Sequence, residues 1–156
     1  MAERTREQID GFMAQKRLAI VGVSRNPKDF SRMLFREFLK QGYDVIPVNP
    51  HTTEVEGRKC FARLGDINPG VGSALLMTPP AESAPVLREA IAAGVRRVWL
   101  YRAVGKGAIH QDAVALCREK GIDLIAGYCP FMFFPKPQFF HRLHGFFMKL
   151  AGTYPS

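Results

Sequence analysis

The sequence predicts an α/β protein with a doubly wound, parallel, five-stranded sheet, followed by an aromatic-rich helical extension at the C-terminus. Strand-like apolar runs alternate with helical patterns along the chain. Gly42, Gly94 and Gly121 follow helical patterns and precede new strands, as C-cap glycines do in βαβ units. A hydrophobic fraction of 47% over 156 residues is enough to fill one core without disulfide or metal support.

The predicted elements follow one another in a regular order. Residues 1–17 have the pattern of a polar helix whose few apolar residues lie against the first strand. Apolar residues recur at helical spacing within residues 33–39, 86–91 and 114–117. The five predicted strands are residues 18–23, 44–48, 74–77, 97–101 and 123–126.

Two segments depart from this alternation. Residues 49–72 carry prolines, glycines and mixed polarity, so we expect a long connection with at most one short helix near residues 61–64, covering one face of a ligand. Seven of the twelve phenylalanines lie between Phe131 and Phe147, and apolar residues within 139–150 recur on one helix face.

These patterns predict a domain at residues 1–130 and an aromatic, amphipathic extension at residues 131–156. We expect the extension to pack on the same domain or to join two subunits as a homodimer. A helix lying in a membrane interface is the less favoured alternative, because the same apolar face suits packing in a core or a dimer.

Composition restricts the partners and the compartment. A formal charge of +8 favours anionic partners, whether phosphorylated cofactors, nucleic acid or acidic lipid. No apolar run approaches the ~20 residues of a membrane-spanning helix, and the polar start has no apolar core of a secretory signal. Three cysteines without a CxxC pair argue against a disulfide scaffold or a zinc module. We therefore expect a cytoplasmic protein with reduced thiols and no metal.

The first strand is followed by the most informative segment of the chain. It ends at Gly22, and before the next helix comes a polar turn made of Val23, Ser24, Arg25 and Asn26. Exposed amides at a helix N-terminus, together with the positive end of the helix dipole, form an anion site. We therefore predict a phosphate-binding turn; a tight strand-to-helix turn that binds nothing is the alternative.

The turn departs from the G-x-G-x-x-G dinucleotide fingerprint. It aligns as Gly22-x-Ser24-x-x-Pro27, so only the first glycine is present. Ser24 offers a hydroxyl donor, and Pro27 is expected to stiffen the turn at the start of the helix. An anion should therefore sit differently here from the phosphates of a nicotinamide cofactor.

Three more turns follow the carboxyl ends of predicted strands, the side where open α/β sheets bind ligands. Asn49 and Pro50 stand where NAD-binding sheets place a carboxylate, which suits coenzyme A or NADP better than NAD. Arg102 follows the fourth strand and offers two donors to a phosphate. Thr78, Pro79 and Pro80 follow the third strand. They form either a rigid edge that supports an adenine or pantetheine arm or only a stop before the next helix.

Five pieces of sequence, taken in order, are shared with a known family. They are residues 19–24, 42–50, 57–61, 78–80 and 129–130, and they span most of residues 15–130. In these pieces the chain resembles the small, single-domain, Rossmann-like coenzyme A-binding proteins, similar to the N-terminal domain of the succinyl-CoA synthetase α subunit. The resemblance implies that the turn from Gly22 to Asn26 holds coenzyme A phosphates and that residues 49–50 and 78–80 border the nucleotide. Phe61 stands where the family usually has tyrosine, and the aromatic tail is longer than in the shorter members.

Arrangements typical of catalysis are not recognised. Ser24 is not in a G-x-S-x-G elbow, and His141 and His144 have no third ligand at metal spacing. Cys129, after the fifth strand, could exchange disulfides with the coenzyme thiol, but a small buried hydrophobic residue is the favoured interpretation.

We therefore predict a non-catalytic carrier, sensor or regulatory module that binds coenzyme A or acyl-CoA. An NADP-dependent oxidoreductase is the alternative. A nucleic-acid binder ranks third, because the basic residues are spread over several helices rather than interleaved with aromatic residues.

Overall fold

A computed structural model describes residues 2–101 and 109–135 of this protein. This part of the chain holds seven strands, four α-helices and two 3-10 turns. In chain order they are α1 (Ala2–Met13), β1 (Arg17–Val21), α2 (Phe30–Lys40), β2 (Asp44–Val48), β3 (Glu54–Val55), β4 (Arg58–Lys59), a 3-10 turn (Leu64–Asp66), β5 (Ser73–Leu76), α3 (Pro80–Ala92), β6 (Arg97–Leu100), α4 (Gln111–Lys120), β7 (Asp123–Ala126) and a second 3-10 turn (Pro130–Phe133).

Five strands form one parallel sheet in the order β2-β1-β5-β6-β7. Alternate side chains of each strand enter two different cores, as the period of a strand requires. One core packs α1 and α2 against one face of the sheet. The other packs α3, α4 and the first 3-10 turn against the opposite face. The predicted doubly wound α/β fold is therefore confirmed.

All five predicted strands of this sheet are present. Those at 44–48 and 123–126 have the predicted bounds, and the other three end one or two residues earlier. Backbone pairing nevertheless continues past those ends, since the Met77 amide donates to Val21 O at 2.9 Å and the Tyr101 amide to Leu76 O at 3.1 Å. Assigned ends of an element ordinarily differ by one or two residues, so these differences are small.

The connection between β2 and β5 differs from the prediction. Its first half is an antiparallel hairpin, β3 with β4, which the sequence analysis missed. The predicted helix near residues 61–64 is wrong at its start, because Phe61 is extended beside β2: its amide donates to Pro47 O at 3.0 Å, and its carbonyl accepts from the Asn49 amide at 2.9 Å. Phe61 therefore occupies the edge where a third strand lies in the 3-2-1-4-5-6 order of a dinucleotide-binding sheet.

Helix α2 begins at Phe30, directly after the turn that contains Pro27. Its N-cap is Asp29, whose Oδ1 accepts from the Ser31 amide at 2.9 Å, and aspartate is among the preferred N-cap residues. Pro27 lies in that turn, as expected, and the Asp29 amide closes the turn by donating to Asn26 O at 3.1 Å. The carboxylate of Asp29 therefore occupies the helix N-terminus that was predicted to receive an anion.

The first residues of the predicted extension lie in the core beneath α1 and α2. Phe131, Met132 and Phe134 are buried there, and the Phe134 ring meets Phe38 edge-on at 4.8 Å between centroids. The rest of the predicted extension, including the helix face within 139–150 and the expected dimer contact, lies outside the described residues. In the part of the chain that is described, no helix is both long and apolar enough to cross a membrane.

Gly22, immediately after β1, is required by two constraints. Its φ of +91° lies in the left-handed region that favours glycine. A Cβ on Gly22 would lie 3.0 Å from Met77 O, the carbonyl that follows β5. Gly42 has a similar φ of +87°, but a Cβ there would meet no atom within 4 Å. Comparing substitutions at the two glycines therefore distinguishes the free-energy cost of the positive φ from that of the close contact with Met77.

Replacement of Gly22 by alanine is expected to destabilise the fold more than replacement of Gly42. Gly42→Ala should lower the free energy of unfolding by ~1 kcal/mol, through its positive φ. Gly22→Ala should lower it by ~2 to 4 kcal/mol, because Met77 must also move. Urea denaturation of both variants measures the difference. Equal losses in the free energy of unfolding would show that the ends of β1 and β5 move apart without strain to make room for the Cβ.

Candidate functional site

A cavity of about 510 Å³ opens at the carboxyl ends of β1, β2 and β5. β2 lies on one side of β1 and β5 on the other, so the winding of the chain reverses between β1 and β5. Ligands of open α/β sheets bind in the crevice at such a reversal. The wall opposite the strand ends comes from the connection and from α3, through Ala62, Arg63, Leu64, Glu82, Val86 and Glu89.

The structure brings four of the predicted binding residues together around this cavity: Gly22, Asn49, Pro50 and Thr78. Six others adjoin the cavity residues along the chain without lining it: Val23, Ser24, Arg25, Asn26, Pro79 and Pro80. Arg102 lies outside the described residues. The predicted connection does cover one side of the cavity, through residues 62–64.

The polar turn after Gly22 satisfies several of its own amides. The Ser24 amide donates to Ser31 Oγ at 2.8 Å, the Asn26 amide to Ser24 Oγ at 3.0 Å, and the Lys28 amide to Asn26 Oδ1 at 3.0 Å. Serine and asparagine side chains commonly bond nearby backbone groups in this way. The expectation that the turn presents a row of exposed amides is therefore wrong for these three.

One amide of the same turn is both exposed and without an acceptor. The amides of Val23 and Arg25 have no acceptor among residues 2–101 and 109–135, but Val23 is fully buried whereas Arg25 is exposed. The side chains of Arg25 and Lys28 are exposed beside them, whereas Asp29 places a carboxylate at the start of α2. The turn can therefore offer an anion one backbone donor, the Arg25 amide, and two cations, rather than a continuous row of amides.

Asn49 ties the end of β2 to this turn. Its Nδ2 donates to Val23 O at 2.8 Å, and its Oδ1 accepts from the His51 amide at 2.8 Å. An ionised aspartate has no donor for Val23 O. The presence of asparagine where NAD-binding sheets place a carboxylate is thus explained by the structure, because the side chain must both donate a hydrogen bond and accept one.

The segment after β5 forms a buried start to α3. Thr78 is 4% exposed, and its Oγ1 lies 3.1 Å from Ser83 Oγ. Pro79 is the N-cap and Pro80 the first residue of the helix, where the fixed φ of proline is favourable. Thr78 therefore faces the cavity from a rigid strand-to-helix junction.

Three charged residues of the cavity were missed by the sequence analysis. Arg63 Nε lies 3.5 Å from Glu89 Oε1, and the Arg63 side chain is 71% exposed. Glu82, in the first turn of α3, also lines the cavity. The sequence analysis considered a carboxylate only at the end of β2, and no spacing in the sequence indicates that residue 63 meets residue 89.

Cys129 lies apart from the cavity, in the core beneath α1 and α2. Burial raises the pKa of its thiol above 9.0, and hydrogen bonds with Tyr101, Phe131 and Met132 oppose that rise. Burial likewise raises the pKa of the Cys117 thiol to about 11. The described residues include no group of three or more side chains that could hold a metal ion.

Comparisons with known proteins agree with this architecture. The curated relatives include the uncharacterised protein YneT of Bacillus subtilis, 27% identical over 114 residues, which are 73% of this chain and 82% of that protein. They also include the alpha subunit of the ADP-forming acetate–CoA ligase II of Pyrococcus furiosus, 29% identical over 129 residues. That match covers 78% of this chain but only 28% of the ligase subunit.

Solved structures give the same result. A hypothetical protein from Pyrococcus horikoshii superposes with a TM-score of 0.73 at 29% identity, covering 83% of this chain and 87% of the other. A family model described as "CoA binding domain" matches residues 16–135, well over half of the chain. The resemblance inferred from the five sequence pieces is confirmed, and this chain belongs to the CoA binding domain family.

Proposed function

We propose that this protein binds coenzyme A or an acyl-CoA in the cavity at the ends of β1, β2 and β5, as a non-catalytic carrier, sensor or regulatory module. The observation that carries the proposal is an open cavity of about 510 Å³ at the winding reversal of a CoA-binding-family sheet. That volume is in the range of small-molecule sites. The cavity is also bordered by Gly22, Asn49 and Thr78, which the sequence had indicated.

The distribution of charge supports one orientation of the ligand. Glu82 and Glu89 make the cavity wall on α3 unfavourable for phosphates, whereas the turn after Gly22 carries the exposed Arg25 and Lys28. The pyrophosphate therefore belongs against the turn, and the nucleoside in the cavity. A carboxylate such as Glu82 can accept hydrogen bonds from hydroxyl or amino groups of the nucleoside.

Arg63 is the group best suited to the extra ribose phosphate of coenzyme A. It is the one arginine or lysine among the described residues that line the cavity. Its pair with Glu89 is long, at 3.5 Å, and the Arg63 side chain is 71% exposed, so the pair contributes little stability. The exposed guanidinium can therefore turn away from Glu89 toward a phosphate at the rim of the cavity, and offer it two donors.

A non-catalytic role is supported by the state of the candidate nucleophiles. Ser24 Oγ accepts from the Asn26 amide, and in the described part of the chain it has no hydrogen bond to a histidine or a carboxylate that would act as a base. Cys129 is buried with a raised thiol pKa. The matched ligase subunit is several times longer than this chain's match to it, so ligase activity is not carried over.

Calorimetric titration of coenzyme A, dephospho-coenzyme A, NADP and NAD tests the ligand. We expect coenzyme A to bind about fivefold more tightly than its dephospho form, as an exposed ion pair of ~1 kcal/mol gives, and NAD to bind most weakly. Arg63→Gln should abolish the preference for the extra phosphate while leaving dephospho-coenzyme A unchanged. Equal affinity for NAD and coenzyme A would contradict the proposal, and tightest binding of NADP would favour an oxidoreductase.

A charge placed at Ser24 tests the position of the pyrophosphate. Ser24→Asp and Ser24→Asn both keep an oxygen that accepts from the Asn26 amide, so they differ in charge and little else. Repulsion from the carboxylate should weaken coenzyme A binding by about tenfold in Ser24→Asp, whereas Ser24→Asn should stay within about twofold. If the two variants bind coenzyme A equally, the phosphates do not lie at this turn.

The thiol of Cys129 is expected to stay unreactive in the folded protein. Because burial raises its pKa above 9.0, little thiolate forms at pH 8, and exchange with a disulfide of coenzyme A should be more than tenfold slower than in urea. The rate should rise with pH beyond 9. Mass spectrometry of Cys129→Ser and the unchanged protein, each incubated with that disulfide, measures the adduct. A rapid adduct at pH 8 that Cys129→Ser lacks would indicate a reactive thiol.

A further inference from the structure

Arg32, on α2, joins the β3–β4 hairpin to the turn after Gly22. Its Nε and Nη2 donate to Glu56 Oε1 at 3.1 and 2.7 Å. Its Nη1 donates to the carbonyl oxygens of Ser24 and Arg25, each at 3.2 Å. The Arg32 side chain is only 12% exposed and that of Glu56 25%, so this pair is less screened by solvent than a surface ion pair.

The bond to Ser24 O has a direct consequence for the next amide. Ser24 C=O and Arg25 N–H belong to one peptide group, and in a trans peptide they point in opposite directions. Because Arg32 holds the carbonyl oxygen, the Arg25 N–H is directed away from the Arg32 guanidinium. This amide is one of the two in the turn without an acceptor among the described residues.

Glu56 adopts an unfavourable backbone conformation at the tip of the hairpin. Its φ is +50°, and that of the following Gly57 is +75°, which is the pattern of a two-residue hairpin turn that prefers asparagine or glycine at the first position. Glutamate suits this backbone poorly but is long enough to reach Arg32, and also Arg36 at 3.4 Å. An unfavourable residue held in place by its surroundings points to a role for its side chain.

We propose that Glu56 is a positioning residue, which acts through Arg32 to hold the Arg25 amide in the orientation that receives the ligand pyrophosphate. The inference rests on the function proposed above. Glu56 does not touch the ligand: it fixes the guanidinium, the guanidinium fixes two carbonyl groups, and the peptide plane fixes the donor. The hairpin is thus part of the binding site, although none of its residues lines the cavity.

Electrostatics makes the proposal distinguishable from a simple charge effect. Glu56 is a negative charge near a site for anions. If only charge mattered, its removal would relieve Coulomb repulsion and strengthen the binding of coenzyme A. Loss of positioning should weaken it. The two effects have opposite signs, and two neutral replacements separate them.

Glu56→Gln and Glu56→Asn form the matched pair for the experiment. Glutamine keeps the length and an oxygen that accepts from Arg32, while asparagine is too short to reach but prefers the positive φ. By calorimetry, we expect Glu56→Gln to bind coenzyme A at least as tightly as the unchanged protein, and Glu56→Asn to bind three- to tenfold more weakly than Glu56→Gln. Dephospho-coenzyme A should lose the same factor, because both ligands carry the pyrophosphate.

Two further measurements on the full chain complete the test. Urea denaturation should show that Glu56→Asn is no less stable than Glu56→Gln, so weaker binding does not come from unfolding. The NMR order parameter of the Arg25 amide, without ligand, should fall in Glu56→Asn only.

Equal affinities in the two variants, or an unchanged Arg25 order parameter in Glu56→Asn, would overturn the proposal. If the unchanged protein binds no coenzyme A, the proposed function fails instead. That outcome is visible before any variant is compared.

Discussion

The contact on which the rest of the site depends is the approach of the β1 end to the β5 end at Gly22. The Met77 amide donates to Val21 O at 2.9 Å, and the Gly22 amide donates to Val48 O at 3.0 Å. Three strand ends are therefore joined within two residues, and glycine is favoured between them, because a Cβ would lie 3.0 Å from Met77 O. The cavity exists because the chain leaves β1 at this point and returns on its other side.

The turn that follows Gly22 is shaped by side chains rather than by further glycines. Asn49 holds Val23 O, Ser31 holds the Ser24 amide, and Arg32 holds Ser24 O. In the usual fingerprint, the second and third glycines let the backbone approach a pyrophosphate and let helix and strand pack closely. Here, contacts from α2 and from the end of β2 give the turn its form, so the fingerprint can be incomplete while the crevice remains.

The charges around the site have a consistent arrangement. Arg25 and Lys28 lie on the turn, with Asp29 after them at the start of α2. Glu82 and Glu89 lie on the α3 wall, and Arg63 lies at the rim. The net charge of +8 would draw any polyanion to the surface, but it does not say where one would bind. The proposed function places the phosphates by local charge, because Glu82 and Glu89 would repel them from the α3 wall and Arg25 and Lys28 would attract them to the turn.

The sequence by itself determined the α/β class, the five parallel strands and the four cavity residues at strand ends, because apolar periodicity and turn residues are local properties of the chain. It also carried the family resemblance. Only the tertiary structure decided the pairing of Arg63 with Glu89, the ion pair of Glu56 with Arg32 and the burial of Phe131 and Phe134. These contacts join residues far apart in the chain, and no spacing rule encodes which distant side chains the packing of helices on a sheet brings together.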